Sequence, residues 1–324
     1  MTLNIISLLD YVTIIEEAIV EGKGEDSFGY FFHEEGGVLA TFDGCGGLGA
    51  RKYEHYNMNS GAYIASRAVS AAVLRWFYVF SNQNGKLDSK KLDQISSEMR
   101  STIKSALSMY KEAQVSGLKS TGMSREFPTT ASVVMFAVNG KRIDTAFFWA
   151  GDSRGYILNS EGLAQITTDD LAGNEDAFEN LSSDARLENV VAADGKFRIN
   201  HKIISLVPPF IAITATDGCF GYFQTPMEFE FMLLETLLIS KNADEWKKRM
   251  HHEMSNVAGD DFSLGIAVFG YGDFKNLKKD YQKRHDFLKG KYIARIPSAT
   301  SSLLYAMWCE YQQEYDRFKN INES

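Results

Sequence analysis

Cysteine is scarce in this chain, and the cysteines that occur form no recognisable framework. There are three, Cys45, Cys219 and Cys309, and none belongs to a Cys-x-x-Cys pair. An odd number without paired spacing argues against both a disulfide scaffold and a structural zinc site. The pattern favours a reducing, cytoplasmic environment.

Long apolar runs and an excess of positive charge are also missing. No stretch approaches the roughly 20 apolar residues of a membrane span, and segment 1–10 has no basic residue before its short apolar patch, unlike a secretory signal. The 34 basic residues are outnumbered by 42 acidic ones. We therefore expect no membrane and no nucleic-acid partner, because phosphate backbones are bound by basic surfaces.

What the chain does contain is a recurring aspartate at the end of an apolar run. The hydrophobic residues make up 44% of 324, enough to bury a sizeable core. Short apolar runs bounded by turn residues indicate buried strands. Four of them carry an aspartate with glycine beside it: Asp43, Asp152, Asp217 and Asp260. We expect these strands to bring their carboxylates to one point.

The hydrophobic periodicity predicts helices and strands that are grouped rather than alternating one to one. Helices are expected over 59–80, 89–114, 226–240 and 243–257, beside about eight to ten strands. Such grouping favours an α+β fold, with antiparallel sheets packed between helix layers, over a doubly wound parallel sheet. The polar segment 169–200 is expected to form a loop or flap beside the site.

Two local pairings are also expected. Glu25 and Asp26 are predicted to lie on a strand that pairs with the strand ending at Asp43, which would make the two acidic sites neighbours. Asp144 and Arg154 are predicted to pair across a hairpin.

The composition changes after Gly272. Residues 275–291 are strongly charged, and apolar residues then recur at helical spacing over 301–318. These changes divide the chain into a body, residues 1–272, and a helical C-terminal extension, residues 273–324. The apolar face of the 301–318 helix must be buried, either on the body or against a partner or a second copy, and docking on the body is the expected outcome.

Carboxylates that are held together repel, and a divalent cation is the usual compensation. Oxygen-only ligation suits Mg²⁺ or Mn²⁺ rather than zinc. Two such ions about 3.5–4 Å apart, bridged by one aspartate, can deliver a hydroxide to phosphorus. The alternative is that the Asp-Gly pairs are ordinary turns, since both residues are common turn formers.

Six short motifs, in this order, resemble those of the metal-dependent type 2C Ser/Thr protein phosphatases. The motifs are Glu25-Asp26, Phe42-Asp43-Gly44-x-Gly46-Gly47, Ala150-Gly151-Asp152-Ser153-Arg154, Ile166-Thr167-x-Asp169, Thr216-Asp217-Gly218 and Asp260-Asp261-Phe262-Ser263. The resemblance covers residues 12–270 and implies two antiparallel β-sheets sandwiched between pairs of α-helices. It also implies hydrolysis of phosphoserine and phosphothreonine in proteins by a hydroxide that bridges two divalent metals, with residues 1–272 as the catalytic domain.

The resemblance implies a ligand set for two ions of Mg²⁺ or Mn²⁺. Asp43 resembles the ligand that bridges both ions and so acts in catalysis through the bridging water, with the Gly44 carbonyl on one of them. Asp217 and Asp260 resemble the other ligands of the first ion. Glu25 resembles a ligand of the second.

Two further carboxylates complete this implied set. Asp26 lies beside Glu25 and would bind the second ion directly or through water. Asp152 is similar to the residue that, with Asp217, helps to hold a third and weaker ion in many members of the family.

The chain departs from the family pattern at two functional positions. Glu21 stands where many members have a phosphate-binding arginine, so that role would fall to Lys23, Arg51 or Lys52. Cys45 stands where a histidine is proposed to donate a proton to the leaving group. These departures motivate a second hypothesis, a phosphatase-like module that binds a phosphoprotein or another partner with weak turnover or none.

The glycine-rich loop also fits the cysteine-x5-arginine spacing of thiol phosphatases, through Cys45 and Arg51. In those enzymes a thiolate attacks phosphorus while the arginine grips the phosphate. The neighbouring charge of Asp43 would raise the pKa of the thiol and disfavour the thiolate. This route is the less favoured alternative.

A second unrelated motif lies in the same loop. Gly44, Gly46 and Gly49 satisfy the G-x-G-x-x-G fingerprint of dinucleotide-binding proteins. That fingerprint needs an acidic residue about 20 positions later to bind a ribose. No acidic residue occurs over 55–87, so this interpretation fails.

Overall fold

The computed structural model describes residues 4–83, 85–112, 125–173, 176–182 and 185–319. Its α-helices are α1 (Ile5–Leu8), α2 (Gly46–Gly49), α3 (Gly61–Asn82), α4 (Leu92–Glu112), α5 (Glu179–Ser182), α6 (Asp217–Phe220), α7 (Pro226–Ile239), α8 (Ala243–Val257), α9 (Phe274–Lys291) and α10 (Ser301–Tyr315). Its strands are β1 (Leu9–Glu17), β2 (Ser27–His33), β3 (Gly36–Phe42), β4 (Lys52–Tyr53), β5 (Asn59–Ser60), β6 (Ala131–Asn139), β7 (Arg142–Ala150), β8 (Arg154–Asn159), β9 (Gly162–Gln165), β10 (Asn200–Leu206), β11 (Phe210–Ala215) and β12 (Phe262–Phe269).

Two five-stranded antiparallel sheets form the centre of the molecule. One sheet has the order β1-β12-β11-β8-β9, and the other has the order β10-β7-β6-β3-β2. Strands β4 and β5 form a separate short ribbon. The predicted α+β fold with antiparallel sheets is confirmed, and the parallel alternative does not apply to the described strands.

Three hydrophobic clusters fix the layers. Phe136 and Phe147 from one sheet meet Ala267 and Phe269 from the other, so the two sheets face each other across a shared core. Helices α3 and α4 cover the outer face of the β10-β2 sheet. Helices α7, α8, α9 and α10 cover the outer face of the β1-β9 sheet. The arrangement is helix, sheet, sheet, helix, because each sheet is buried on both faces.

Local sequence explains several helix boundaries. Helix α7 begins with a capping box, in which Thr225 accepts from the Glu228 backbone N–H and the Glu228 side chain accepts from the Thr225 backbone N–H, with Pro226 at the first helical position. The predicted range 243–257 matches α8 residue for residue. The predicted helix 89–114 begins as a 3-10 turn at Ser89–Lys91 and continues as α4, and residues 113–114 lie outside the described residues.

Some sequence-based expectations are wrong. Glu25 and Asp26 precede β2 rather than lying on it, although Ser27 does pair with Phe42 at the end of β3. The described part of the polar segment 169–200 is mostly irregular, as expected, although it includes the short helix α5 and the first residue of β10. Arg154 does not pair with Asp144; it forms a buried ion pair with Asp169 instead.

The apolar face of α10 packs on the body. Trp308, Tyr311 and Tyr315 are buried in the same cluster as Tyr156 of β8 and Tyr281 of α9. The Tyr315 hydroxyl donates to Gln165 Oε1 at 2.9 Å. The expected docking is therefore found. The division of the chain at residue 272 stays a prediction, since helices on both sides of that point share one core.

A buried ion pair connects α9 to α7. The Arg284 guanidinium contacts both carboxylate oxygens of Glu230, at 2.8 and 2.9 Å, and Glu230 is fully buried. Glu230 also accepts a hydrogen bond from the Tyr311 hydroxyl, and Glu314 of α10 contacts the same guanidinium. One charged cluster therefore joins three helices.

Of the helices in the described ranges, none combines the length and apolar character needed to cross a bilayer.

Candidate metal centre

The strand-end aspartates meet at one end of the sandwich. Asp43 directly follows β3, Asp152 lies in the turn from β7 to β8, and Asp217 opens α6 after β11. Asp260 lies just before β12. A cavity of about 520 Å³ is lined by all four of these aspartates together with Glu25 and Gly44. The structure thus brings six of the predicted metal-binding residues to one place, and their role as ligands stays a prediction.

Main-chain contacts hold Asp43 at the floor of this cavity. Its carbonyl accepts from the Thr130 backbone N–H at 2.8 Å and from the Thr129 hydroxyl at 2.7 Å. The next residue, Gly44, has no room for a side chain. An added Cβ would lie 2.6 Å from the Glu25 carbonyl oxygen and 2.8 Å from that of Ala62. The Asp-Gly pair is therefore required by close backbone packing as well as by turn geometry.

The Glu25-Asp26 pair is held by contacts from three separate segments of the chain. The Glu25 carboxylate accepts from the Ser60 hydroxyl, and the Glu25 backbone N–H donates to Asp261 Oδ2 at 2.7 Å. Asp26 is buried and accepts from Thr216 Oγ1 at 2.7 Å. Asp26 does not line the cavity, but its charge acts on Asp43. Asp261 therefore positions the backbone around Glu25.

Asp152 depends on a residue that the sequence analysis did not single out. Gly151 has φ +96°, which favours glycine, and its backbone N–H donates to Asp170 Oδ2 at 3.0 Å. The same Asp170 oxygen accepts from Asn189 at 2.7 Å and from Asn200 at 2.9 Å. Asp170 thus fixes the turn that presents Asp152. The sequence gives one signal for this role of Asp170, namely that Asp170 directly follows the Ile166-Thr167-x-Asp169 motif.

The carboxylates raise one another's pKa. Burial, and next the charge of Asp217, raises the pKa of Asp43 well above its usual range and that of Asp152 to about 8. Burial, and next Asp260, raises the pKa of Asp217 to about 6. Burial also raises the pKa of Asp26 and Glu25. Holding all of these groups ionised is unfavourable without a compensating cation.

The stability of the metal-free protein is therefore expected to fall as the pH rises. A carboxyl with a higher pKa in the folded than in the unfolded chain adds stability at low pH, and this stability is lost as the pH rises through the folded pKa. The ordinary value of 3.8 and the raised values of about 6 for Asp217 and about 8 for Asp152 place this loss between pH 4 and pH 8. In EDTA, thermal unfolding is expected several degrees lower at pH 8.5 than at pH 5.5.

Added Mn²⁺ should reverse this trend, since ionised carboxylates bind the metal. Its stabilising effect on the melting temperature should be larger at pH 8.5 than at pH 5.5. A metal-free protein that is more stable at the higher pH would contradict the raised pKa values.

The donor chemistry fits a hard divalent ion. The acidic side chains that line the cavity offer only carboxylate oxygens, and Asp152 Oδ1 is buried without a hydrogen-bond partner among the described residues. In the part of the chain that the structure describes, no group of three or more His, Cys, Asp or Glu side chains is already arranged to hold a metal ion. The residues therefore have the right chemistry and location for Mg²⁺ or Mn²⁺, without a preformed ligand geometry.

The three candidates for phosphate binding do not line this cavity. Lys23, Arg51 and Lys52 are exposed, and the Arg51 guanidinium lies over the Tyr53 ring at 5.2 Å. None of the described residues that line the 520 Å³ cavity is a lysine or an arginine. The assignment of phosphate binding to these three residues stays a prediction.

The environment of Cys45 disfavours the thiol phosphatase mechanism. Burial, and next the charge of Asp43, raises the pKa of the Cys45 thiol well above its usual range. The thiol lies 3.9 Å from the Asp43 carbonyl oxygen. A thiolate nucleophile is disfavoured here, because nothing lowers its pKa enough to offset burial beside carboxylates.

The fold and the cavity together define the class of structure. The chain has the two-sheet sandwich of the PPM serine/threonine phosphatases, and the resemblance that the motifs predicted is confirmed at the level of the fold. At the identities found, the likeness establishes the fold alone.

Three solved structures show how similar this chain is to such phosphatases in sequence and fold. A bacterial serine phosphatase is 18% identical with a TM-score of 0.56, and 81% of this chain and 98% of that chain are covered. Phosphatase Stp1 from Staphylococcus aureus is 19% identical with a TM-score of 0.56, over 81% and 96%. The catalytic domain of PstP, in complex with two manganese ions, is 18% identical with a TM-score of 0.50, over 80% and 97%. No protein-family model and no curated protein matches the sequence.

Proposed function

We propose that this protein is a Mg²⁺- or Mn²⁺-dependent phosphatase that removes phosphate from phosphoserine or phosphothreonine in proteins. The observation that supports this most strongly is the convergence of Glu25, Asp43, Asp152, Asp217 and Asp260 on one cavity. The same fold occurs in solved serine/threonine phosphatases, one of them with two manganese ions.

In this proposal each carboxylate has a distinct part. Asp43 would bridge two ions, with Asp217, Asp260 and the Gly44 carbonyl on the first of them. Divalent ions, when bound, offset the negative charge of the phosphoryl group and activate a water. Hydrogen bonds from the Thr129 hydroxyl and the Thr130 backbone N–H to the Asp43 carbonyl keep Asp43 in register with the other strand ends.

The second ion and a weaker third one involve the remaining carboxylates. Glu25 would hold the second ion, with Asp26 acting on it directly or through water. Asp152 and Asp217 would hold the third. Asp152 suits this part because one of its oxygens is buried without a hydrogen-bond partner among the described residues.

The test is hydrolysis of p-nitrophenyl phosphate in Mn²⁺, with EDTA and a thiol-alkylating reagent as separate additions. We expect EDTA to abolish turnover and alkylation to leave most of it. The Cys45→Ser variant should retain kcat/KM within about threefold of the parent, because the thiol transfers no phosphoryl group in this mechanism. Cys309→Ser, at an exposed position, is the matched control.

Activity that persists in EDTA and is lost in Cys45→Ser would overturn the metal mechanism and support the thiol route. In that case Arg51 would be the phosphate-gripping residue.

The second candidate is a phosphatase-like binding module. It is favoured by Glu21, by Cys45 and by the lack of lysine or arginine among the described residues of the 520 Å³ cavity. Calorimetric titration with Mn²⁺ separates the two candidates. Metal binding without turnover of p-nitrophenyl phosphate or of phosphopeptides would support the module.

The proposed partner is a phosphoprotein, and cytoplasmic location stays a prediction from cysteine usage. Self-association through the 301–318 helix would have to use its outward face, for example Tyr305, which is 48% exposed, because Trp308 and Tyr311 are buried.

A further inference from the structure

A second cavity lies beside the metal centre. It has a volume of about 540 Å³ and shares Leu48, Asp152, Leu187 and Asp217 with the lining of the first cavity. The two cavities are therefore contiguous. A substrate chain whose phosphorylated residue occupies the first can place neighbouring residues in the second.

Two arginines line this second cavity and not the first. Arg125 is half-buried and donates from Nη1 to the Val190 carbonyl at 3.1 Å, while Arg186 is exposed. Among the described residues, no acidic side chain forms an ion pair with either guanidinium. Arg154 also lines the cavity, but its charge is matched by Asp169 at 2.6 Å.

Backbone hydrogen bonds hold the segment that carries Arg125. Thr129 and Val191 exchange a pair of hydrogen bonds at 3.0 Å each, and the Ala193 N–H donates to the Glu126 carbonyl at 2.9 Å. The Thr129 hydroxyl in turn donates to the Asp43 carbonyl. Arg125 therefore has a fixed relation to the metal centre.

The segment that carries Arg186 is held in a similar way. The Arg186 carbonyl accepts from the Ala172 N–H at 2.9 Å, and Leu171 pairs with Leu187 in an antiparallel bridge. The Glu188 N–H donates to the Asp170 carbonyl, which belongs to the residue that fixes the Gly151 turn. Both guanidinium groups thus extend from paired backbone rather than from free loops.

The remaining walls are largely apolar. They include Leu48, Leu171, Leu181 and Phe220. A mixed wall of this kind, with two cations carried on paired backbone, suits a short peptide segment that carries an acidic side chain. Asp152 and Asp217 would repel such a side chain, so the arginines are needed to offset that repulsion.

We propose that Arg125 and Arg186 bind the carboxylate of an acidic residue that flanks the phosphorylated residue of the substrate. Guanidinium groups bind carboxylates through paired, charge-assisted hydrogen bonds. The two arginines line the cavity that contains neither Asp43 nor Asp260, and they are absent from the lining of the cavity that contains both, which favours a flanking group over the phosphate that is removed. Turnover of such a substrate rests on the proposed function, but the binding of the peptide does not.

The test compares an Arg125→Gln/Arg186→Gln double variant with an Arg75→Gln/Arg295→Gln control. Both control arginines are exposed and line neither cavity. The substrates are p-nitrophenyl phosphate and phosphoserine peptides with one glutamate, or a glutamine in its place, at each position from three before to three after the phosphoserine.

We expect the parent protein to prefer the glutamate peptide at one or more positions by about tenfold in kcat/KM. The double variant should lose this preference and keep the parent rate on p-nitrophenyl phosphate, whereas the control keeps both. An equal loss on all substrates would overturn the proposal, since the arginines would then grip the phosphate that is removed. An unchanged preference for glutamate would also overturn it.

Binding is measured separately by fluorescence anisotropy with labelled peptides in EDTA. About tenfold weaker binding of the glutamate peptide to the double variant, with unchanged binding of the glutamine peptide, supports the proposal even if the parent protein hydrolyses nothing, so the two proposals fail independently. Replacing Arg125 removes its hydrogen bond to the Val190 carbonyl and can disturb the local backbone, so Arg186→Gln is also measured alone. Arg186→Lys keeps the charge and should retain part of the preference for glutamate. Equal binding of both peptides by the parent protein overturns the proposal.

Discussion

Replacing Asp43 with asparagine is expected to lower kcat/KM on p-nitrophenyl phosphate in Mn²⁺ by at least about 1000-fold, or about 4 kcal/mol. In the proposed ligand set Asp43 is the residue that bridges both ions, and asparagine keeps its shape but removes the charge that would hold two ions together. The metal-free variant should at the same time be more stable than the parent. Burial and the charge of Asp217 raise the pKa of Asp43, so the ionised group is unfavourable there without metal.

Opposite changes in activity and stability distinguish loss of chemistry from loss of folding. The assay is run beside thermal unfolding in EDTA at pH 7.5. Asp280→Asn, at an exposed aspartate of α9, serves as the control and should leave both quantities unchanged. An Asp43→Asn protein that retains a tenth or more of the parent activity would contradict the proposed bridging role.

Replacing Arg284 with methionine is expected to destabilise the protein by about 3–5 kcal/mol. The substitution leaves the fully buried Glu230 carboxylate with the Tyr311 hydroxyl but without its cation. Urea denaturation measures the change in the free energy of unfolding. Arg295→Met, at an exposed position on the same C-terminal segment, should change it little.

A double variant tests whether the cost comes from the unpaired charge. Glu230→Gln combined with Arg284→Met removes both charges and leaves an acceptor for Tyr311, so it should recover at least half of the lost stability. Recovery is expected because buried ion pairs contribute little net stability when compared with neutral replacements. A double variant as unstable as Arg284→Met would indicate that packing of the guanidinium dominates.

The sequence could predict those site residues whose position depends only on where a single buried strand ends. Asp43, Asp152 and Asp217 lie at the ends of apolar runs, and a buried strand that stops at the rim of a sheet places such residues at an opening. Antiparallel pairing then determines which ends coincide. The helices at 226–240 and 243–257 can also be predicted from local sequence, because α7 has a capping box with Pro226 at its start and α8 has an N-cap at Asn242.

The contacts between distant segments could not be predicted. Asp170 fixes the Gly151 turn through partners that include Asn189 and Asn200, and no periodicity marks such a residue. Arg125 and Arg186 reach the same cavity from segments about 60 positions apart without belonging to any motif. Hairpin proximity predicts Asp144 as the partner of Arg154, whereas the buried ion pair in the structure is with Asp169.

The helices that follow residue 272 also bear on how this protein can be shortened. Tyr281, Trp308, Tyr311 and Tyr315 fill the outer face of the β1-β9 sheet from that side. A chain cut after Gly272 would keep α7 and α8 but expose the part of this face that α9 and α10 cover, and such an exposed apolar patch favours aggregation. The two-sheet sandwich of this protein is therefore not expected to fold stably without its C-terminal helices, because these helices form part of its hydrophobic core.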